Sequence, residues 1–161
     1  MDGMGGALDS LRRAQLEARI QELNRLISKY RNEINYCSGQ ITKIDRSYDS
    51  VSVFKGVVQQ SQECFSEASL GKSSALELVG AVSRNNTVAK KYYDGMKRVL
   101  TGTGAKITSK LYSVLLSKIA SEQSSLRNQS NNYSDTIAYY NKLISNAQTE
   151  LTQKTQELQS L

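Results

Sequence analysis

Apolar residues along the first third of the chain alternate between steps of four and three: Leu16, Ile20, Leu23, Ile27, Tyr30, Ile34, Cys37, Ile41, Ile44, Tyr48 and Val51. This is the heptad pattern of a helix with one buried seam. Ile20, Ile27, Ile34 and Ile41 fall at one seam position and Leu16, Leu23, Tyr30, Cys37 and Ile44 at the other. The spacing predicts a long helix over about 9–50, roughly 60 Å at 1.5 Å per residue, after a flexible glycine-rich start at 1–8. The last third repeats the theme through Leu115, Ile119, Leu126, Tyr133, Ile137, Tyr140, Ile144, Ala147, Leu151, Leu158 and Leu161. A half-turn step near Tyr133 reads there as a stutter.

Thr101-Gly102-Thr103-Gly104 offers glycines suited to ending one helix and a threonine suited to capping the next. A second long helix is therefore expected over about 105–161. Between the two, at about 52–101, shorter apolar patterns run from Val53 to Phe65 and from Leu76 to Val99, separated by a turn expected at Ser69-Leu70-Gly71-Lys72-Ser73-Ser74. The whole is expected to be a single all-α domain. Its architecture would be a long antiparallel coiled-coil-like helical hairpin with two shorter helices packed at one end. At 161 residues, one domain accounts for the length, and the absence of proline removes the strongest helix breaker.

Composition narrows the chemistry more than it names it. With no histidine, the usual neutral-pH proton shuttle and commonest metal ligand is missing, and a di-metal helical bundle lacks its Glu-x-x-His ligand pair. Glu17 with Glu22 and Asp45 with Asp49 lie on the solvated side of the heptad, beside basic neighbours, and read as charged faces. Gly71-Lys72-Ser73 resembles the end of a phosphate-binding loop, but the glycine expected five residues earlier is Ser66, and no strand precedes it. No catalytic, metal-binding or cofactor-binding residues are therefore assigned, no cofactor is expected, and an enzyme ranks last among the readings. Cys37 and Cys64 lack metal-site spacing and are expected to be buried free thiols.

The net charge of +6 comes from dispersed Lys and Arg, grouped most densely at Lys90, Lys91, Lys97, Arg98, Lys106 and Lys110. Together with nine tyrosines this could make a nucleic-acid surface. Tyr30, Tyr48, Tyr133 and Tyr140, however, sit on the seams, where aromatic bodies pack, so nucleic acid ranks low as a partner. No apolar run is long enough for a membrane span, and no signal-peptide layout opens the chain.

One segment adds to the periodicity. Val53-Phe54-Lys55-Gly56-Val57-Val58, followed by Phe65, is an aromatic-x-Gly step after a long first helix. It resembles the Trp-x-Gly region of the small helical proteins of type VII secretion systems, most of all the YwqH-like proteins encoded beside LXG-domain toxins. Phe54 stands where tryptophan is usual, and Tyr30-Arg31-Asn32-Glu33 is one residue short of the Tyr-x-x-x-Asp/Glu export signature. The resemblance implies a helical adaptor or targeting factor that pairs with the helical N-terminal domain of such a toxin. A cytoplasmic location is implied, with secretion through a type VII system as the other possibility. Phe54, Gly56 and Phe65 would shape a helix-turn junction, while Ile20, Ile27, Ile34, Ile41, Ile137 and Ile144 on the seams would supply partner contacts. The competing readings are a self-assembling coiled-coil structural protein, hence a homo-oligomer, and then a basic nucleic-acid-binding helical protein.

Overall fold

The computed structural model describes residues 3–82 and 87–161, and all of its secondary structure is helical. Three helices follow one another: α1 (Gly3–Val82), α2 (Thr87–Thr101) and α3 (Thr103–Gln159). The chain forms two compact units, one of Met1–Arg46 with Arg127–Leu161, the other Ser47–Leu126, and α1 and α3 contribute to both. The all-α class expected from the heptads holds.

In the first unit the core is Leu23, Ile27 and Ala147, with Ile144 and Leu151 packed against it. Leu23 is only 1% exposed. Tyr30 and Tyr140 place their rings 5.6 Å apart, and the Arg19 guanidinium donates to both carboxylate oxygens of Glu150, at 2.7 and 3.0 Å. Residue numbers in these contacts rise along α1 as they fall along α3. The Arg19 partnership is a bidentate pair, the geometry in which a charged hydrogen bond is strongest. It holds the Glu150 carboxyl below its usual range and raises the guanidinium further.

Two expected breaks in α1 do not occur. The helix runs through the end expected near residue 50 and through the turn expected at Ser69–Ser74. The seam explains this: its four-three spacing continues past Val51 through Lys55, Val58, Gln62, Phe65 and Ser69, all buried or half-buried. Alternate seam positions there are polar or small, so the apolar pattern fades while the helix does not. Gly56 and Gly71 have helical backbone, no positive φ and open space around the hydrogen a side chain would replace. Each costs about 1 kcal/mol of helix propensity against alanine, which a packed helix absorbs. At the N-terminus, α1 already includes Gly3, so the flexible start expected at 1–8 is helical from residue 3; Met1 and Asp2 lie outside the described residues.

The expected stutter near Tyr133 is also absent. Gln123 and Ser130 occupy half-buried seam positions, so Leu116, Ile119, Gln123, Leu126, Ser130, Tyr133 and Ile137 keep an unbroken four-three rhythm. Leu115, 37% exposed, lies beside the seam and Leu116 lies in it. The extra step falls elsewhere, at Thr108, Tyr112 and Leu116 on α3 and at Phe65, Ser69 and Ser73 on α1. The two steps meet at one level, where the rings of Phe65 and Tyr112 lie 6.1 Å apart.

One break falls within the expected segment. Gly102 alone separates α2 from α3, and α3 starts at Thr103, slightly before the expected 105. Its φ is not positive; what demands glycine is space, because a Cβ would stand 1.9 Å from the Arg98 carbonyl oxygen. Of the two shorter middle helices expected, only α2 is separate, the other being the continuation of α1. α2 half-buries Ala89, Tyr93, Met96 and Leu100. Tyr93 lies so tightly over Gly80 that a Cβ there would approach its ring to 2.6 Å.

Candidate protein-interaction site

The seam isoleucines expected to contact a partner are taken up to different degrees within the chain. Ile27 is in the first unit's core and Ile144 packs on it, whereas Ile20, Ile34, Ile41 and Ile137 are half-buried. Tyr30, Tyr48, Tyr133 and Tyr140 are likewise half-buried. Burial raises the Tyr140 phenol above its usual value. Glu17, Glu22, Asp45 and Asp49 are exposed, as the heptad places them.

Phe54, Gly56 and Phe65 do not form a corner. They lie along uninterrupted helix, Phe54 and Phe65 separated by about 16 Å along the axis. Phe54 is 50% exposed, and nothing lies within 4 Å of where a side chain at Gly56 would begin. Phe65 is half-buried against Tyr112. Cys37 is buried as expected, but Cys64 is exposed, which corrects its expected burial; both are free thiols.

What the sequence pattern missed is an accumulation of exposed apolar side chains in the second unit. Val53, Phe54 and Val57 on α1 and Ile107, Leu111, Val114 and Leu115 on α3 are all exposed, as are Leu70, Leu78, Val88, Tyr92 and Val99. The first unit exposes far fewer: Leu8, Leu11, Tyr36, Tyr139 and Leu161. Ile107, Leu111 and Leu115 recur every four residues off the seam, a second stripe that is readable once Leu116 is placed in the first. Scattered exposed apolar residues are ordinary; a clustered set marks an interaction surface.

The second unit is also incompletely filled. A groove of about 690 Å³ runs beside Gln62, Phe65, Ser66, Ser69, Leu100 and Lys106, and a smaller one of about 360 Å³ beside Phe65, Ala68, Lys72, Val99, Gly104 and Thr108. Small side chains at Ser66, Ala68, Ser69, Ser73 and Ala105 leave this space where the helices change register. Two polar links tie the unit together. Gln123 donates to the Ser52 hydroxyl at 3.0 Å, and Tyr93 donates to Glu77 at 2.9 Å. Lys97 donates in turn to the Tyr93 oxygen at 3.1 Å and lies 3.6 Å from Glu77, which raises its pKa, the hydrogen bond to Tyr93 being the main cause.

Chemistry in the grooves is sparse. Among the described residues no group of three or more Cys, Asp or Glu side chains could hold a metal ion, and no helix is long and apolar enough to cross a membrane. Gly71-Lys72-Ser73 lies inside α1, so its backbone amides serve the helix and make no loop. Comparison with known proteins yields no match: no family model, no curated protein and no solved structure aligns with the chain.

Proposed function

We propose that this protein is a non-enzymatic helical adaptor or targeting factor that binds the helical N-terminal domain of an LXG toxin secreted by a type VII system. The observation that carries the proposal is the clustered apolar surface of the second unit, exposed on helices whose other faces are already packed. Such a surface gains most by covering itself with another helix. The class of partner comes from the likeness around Phe54-Lys55-Gly56, and Phe54 contributes through its exposure, since no turn forms there. In this proposal α1 and α3 pair as an antiparallel coiled-coil-like hairpin. The contacts of Arg19 with Glu150, Tyr30 with Tyr140, Ser52 with Gln123 and Phe65 with Tyr112 support that pairing, each within its own unit. The adaptor acts in the cytoplasm, and export with its toxin is the alternative.

A second reading, self-assembly as a structural coiled coil, draws on the same exposed side chains. Co-expression with the helical N-terminal domain of an LXG toxin separates the two. Co-purification in fixed stoichiometry supports the adaptor, and a homo-oligomer that excludes the toxin domain supports self-assembly.

A further inference from the structure

The buried side chains of the second unit fall into two groups with a gap between them. Toward one end Val58 and Ile119 are each 5% exposed, Gln123 donates to the Ser52 hydroxyl, and the rings of Phe65 and Tyr112 close the group. Toward the other end Leu76 is 7% exposed and the Tyr93 ring lies tightly over Gly80. Tyr93 there donates to Glu77 and accepts from Lys97, so packing and polar bonds together clasp α2 to the end of α1. Between Val58 and Leu76 on α1, and from Thr87 to Lys118 on α2 and α3, no residue is buried.

Both sides of the helix pair are weakest inside this gap. On one side the helix is interrupted at Gly102. On the other, Gly71 stands among Ser69, Ser73 and Ser74, and glycine with serine is where a helix bends. Gly102 is as far along the chain from Tyr93 as Gly71 is from Gly80, which Tyr93 covers, so the two glycines come to about one level. Their chain neighbours Leu70 and Thr101 line the same groove, the larger one of about 690 Å³. Close-packed helices resist bending, but here unfilled space lies on both flanks of the seam. Glu63, Ser66 and Leu70 at the larger groove each follow a seam residue, and Ala68 and Lys72 at the smaller each precede one. A bend that narrows one groove therefore widens the other.

We infer that the second unit is hinged: α2 and the end of α1 move as one arm about Gly71 and Gly102, relative to the packed pair that holds Val58 and Ile119. The arm exposes Leu78, Val79, Val88 and Tyr92, and the pair below it exposes Phe54, Val57, Ile107 and Leu111. The bend thus sets the spacing between two apolar groups, as hinges of a few small residues do elsewhere. This deepens the adaptor proposal and rests on it for one point alone, that the toxin domain spans both groups and fixes the angle. The hinge itself stands on the gap in the core, the paired glycines and the two grooves.

The test uses the full chain with spin labels on Cys64 and on a second cysteine, and pulsed electron double resonance reads the distance distribution between them. Asp94→Cys, at an exposed position, places the second label on the arm; Asp49→Cys, also exposed, places it below the hinge. Each lies about 22 Å from Cys64 along the helix axis, and Cys37, being buried, stays unlabelled. The arm pair gives a distribution roughly twice as wide as the Asp49 pair, because hinge motion adds to label mobility. Ser69→Leu plus Ser73→Leu carries the apolar seam across the gap and narrows the arm distribution to the control's width. Gly71→Ala, at a position with open space, narrows it in part and keeps the test sound if the double variant misfolds. An arm distribution no wider than the control overturns the hinge, as does one that neither variant narrows. So do α2 amides that exchange as fast as those of an unfolded chain, since the arm then frays and does not swing. With the toxin domain added, a narrowed arm distribution supports the fitting role. A domain that binds and leaves the width unchanged overturns that role and keeps the hinge; one that does not bind refutes the adaptor while the hinge stands.

Discussion

Gly56 separates two accounts of the chain's middle. In one, an aromatic-x-Gly step turns the backbone; in the structure, Gly56 is an exposed residue in the interior of α1. Replacing it with alanine adds one methyl group with no atom within 4 Å to oppose it, at a backbone without positive φ. The substitution removes unfolded-state freedom and the helix penalty of glycine, a gain of about 0.5–1 kcal/mol, or a rise of roughly 1–4 °C in melting temperature for a chain of this size. Gly102→Ala must do the opposite. Its Cβ would lie 1.9 Å from the Arg98 carbonyl oxygen, and the obstacle is backbone that cannot swing aside. Relieving that overlap costs about 1–3 kcal/mol and disturbs the joint between α2 and α3. Thermal unfolding followed by circular dichroism at 222 nm measures both. Stabilisation by Gly56→Ala with destabilisation by Gly102→Ala supports the continuous α1. A Gly56→Ala variant that melts lower than wild type would refute it and restore a turn at that position.

Other consequences follow from single contacts. Leu23→Ala empties the most buried position in the first unit, beside Ile27 and Ala147, and should cost about 2–5 kcal/mol in denaturant unfolding; a loss under 1 kcal/mol would mean that the core is elsewhere. Because Arg19 lowers the Glu150 pKa, that pair's contribution is complete above the ordinary carboxyl pKa of 4.5 and is lost as pH falls through the lower folded value. Glu150→Gln should accordingly flatten part of the stability loss below pH 4.5, and an unchanged acid limb would show that the pair contributes nothing. Cys64 should react with a thiol reagent in the native protein while Cys37 reacts only after unfolding; two fast thiols would contradict the burial of Cys37.

The legible parts of the sequence are those where seam and chemistry agree. From Leu16 to Tyr48 the four-three positions are nearly all apolar, so the spacing alone identifies the helix that buries Leu23, Ile27 and Cys37. From Val51 onward the agreement fails in both directions. Lys55, Gln62, Ser69 and Ser73 occupy the seam, while Val53, Phe54 and Val57 face outward. An apolar count along this stretch therefore mistakes surface for core and inserts breaks into a continuous helix. The adjacent Leu115 and Leu116 pose the same problem on α3: choosing the wrong leucine creates a stutter near Tyr133 and hides the stripe of Ile107, Leu111 and Leu115. The features that conceal the fold, polar seams and apolar outer faces, are also those that form the candidate partner surface.

Light-scattering mass of the purified chain, alone and mixed with the helical N-terminal domain of an LXG toxin, tests the adaptor account most directly. The account predicts a fixed-stoichiometry complex that is weakened by Leu111→Ser plus Leu115→Ser. A single homo-oligomer whose mass is unchanged by the toxin domain would contradict it.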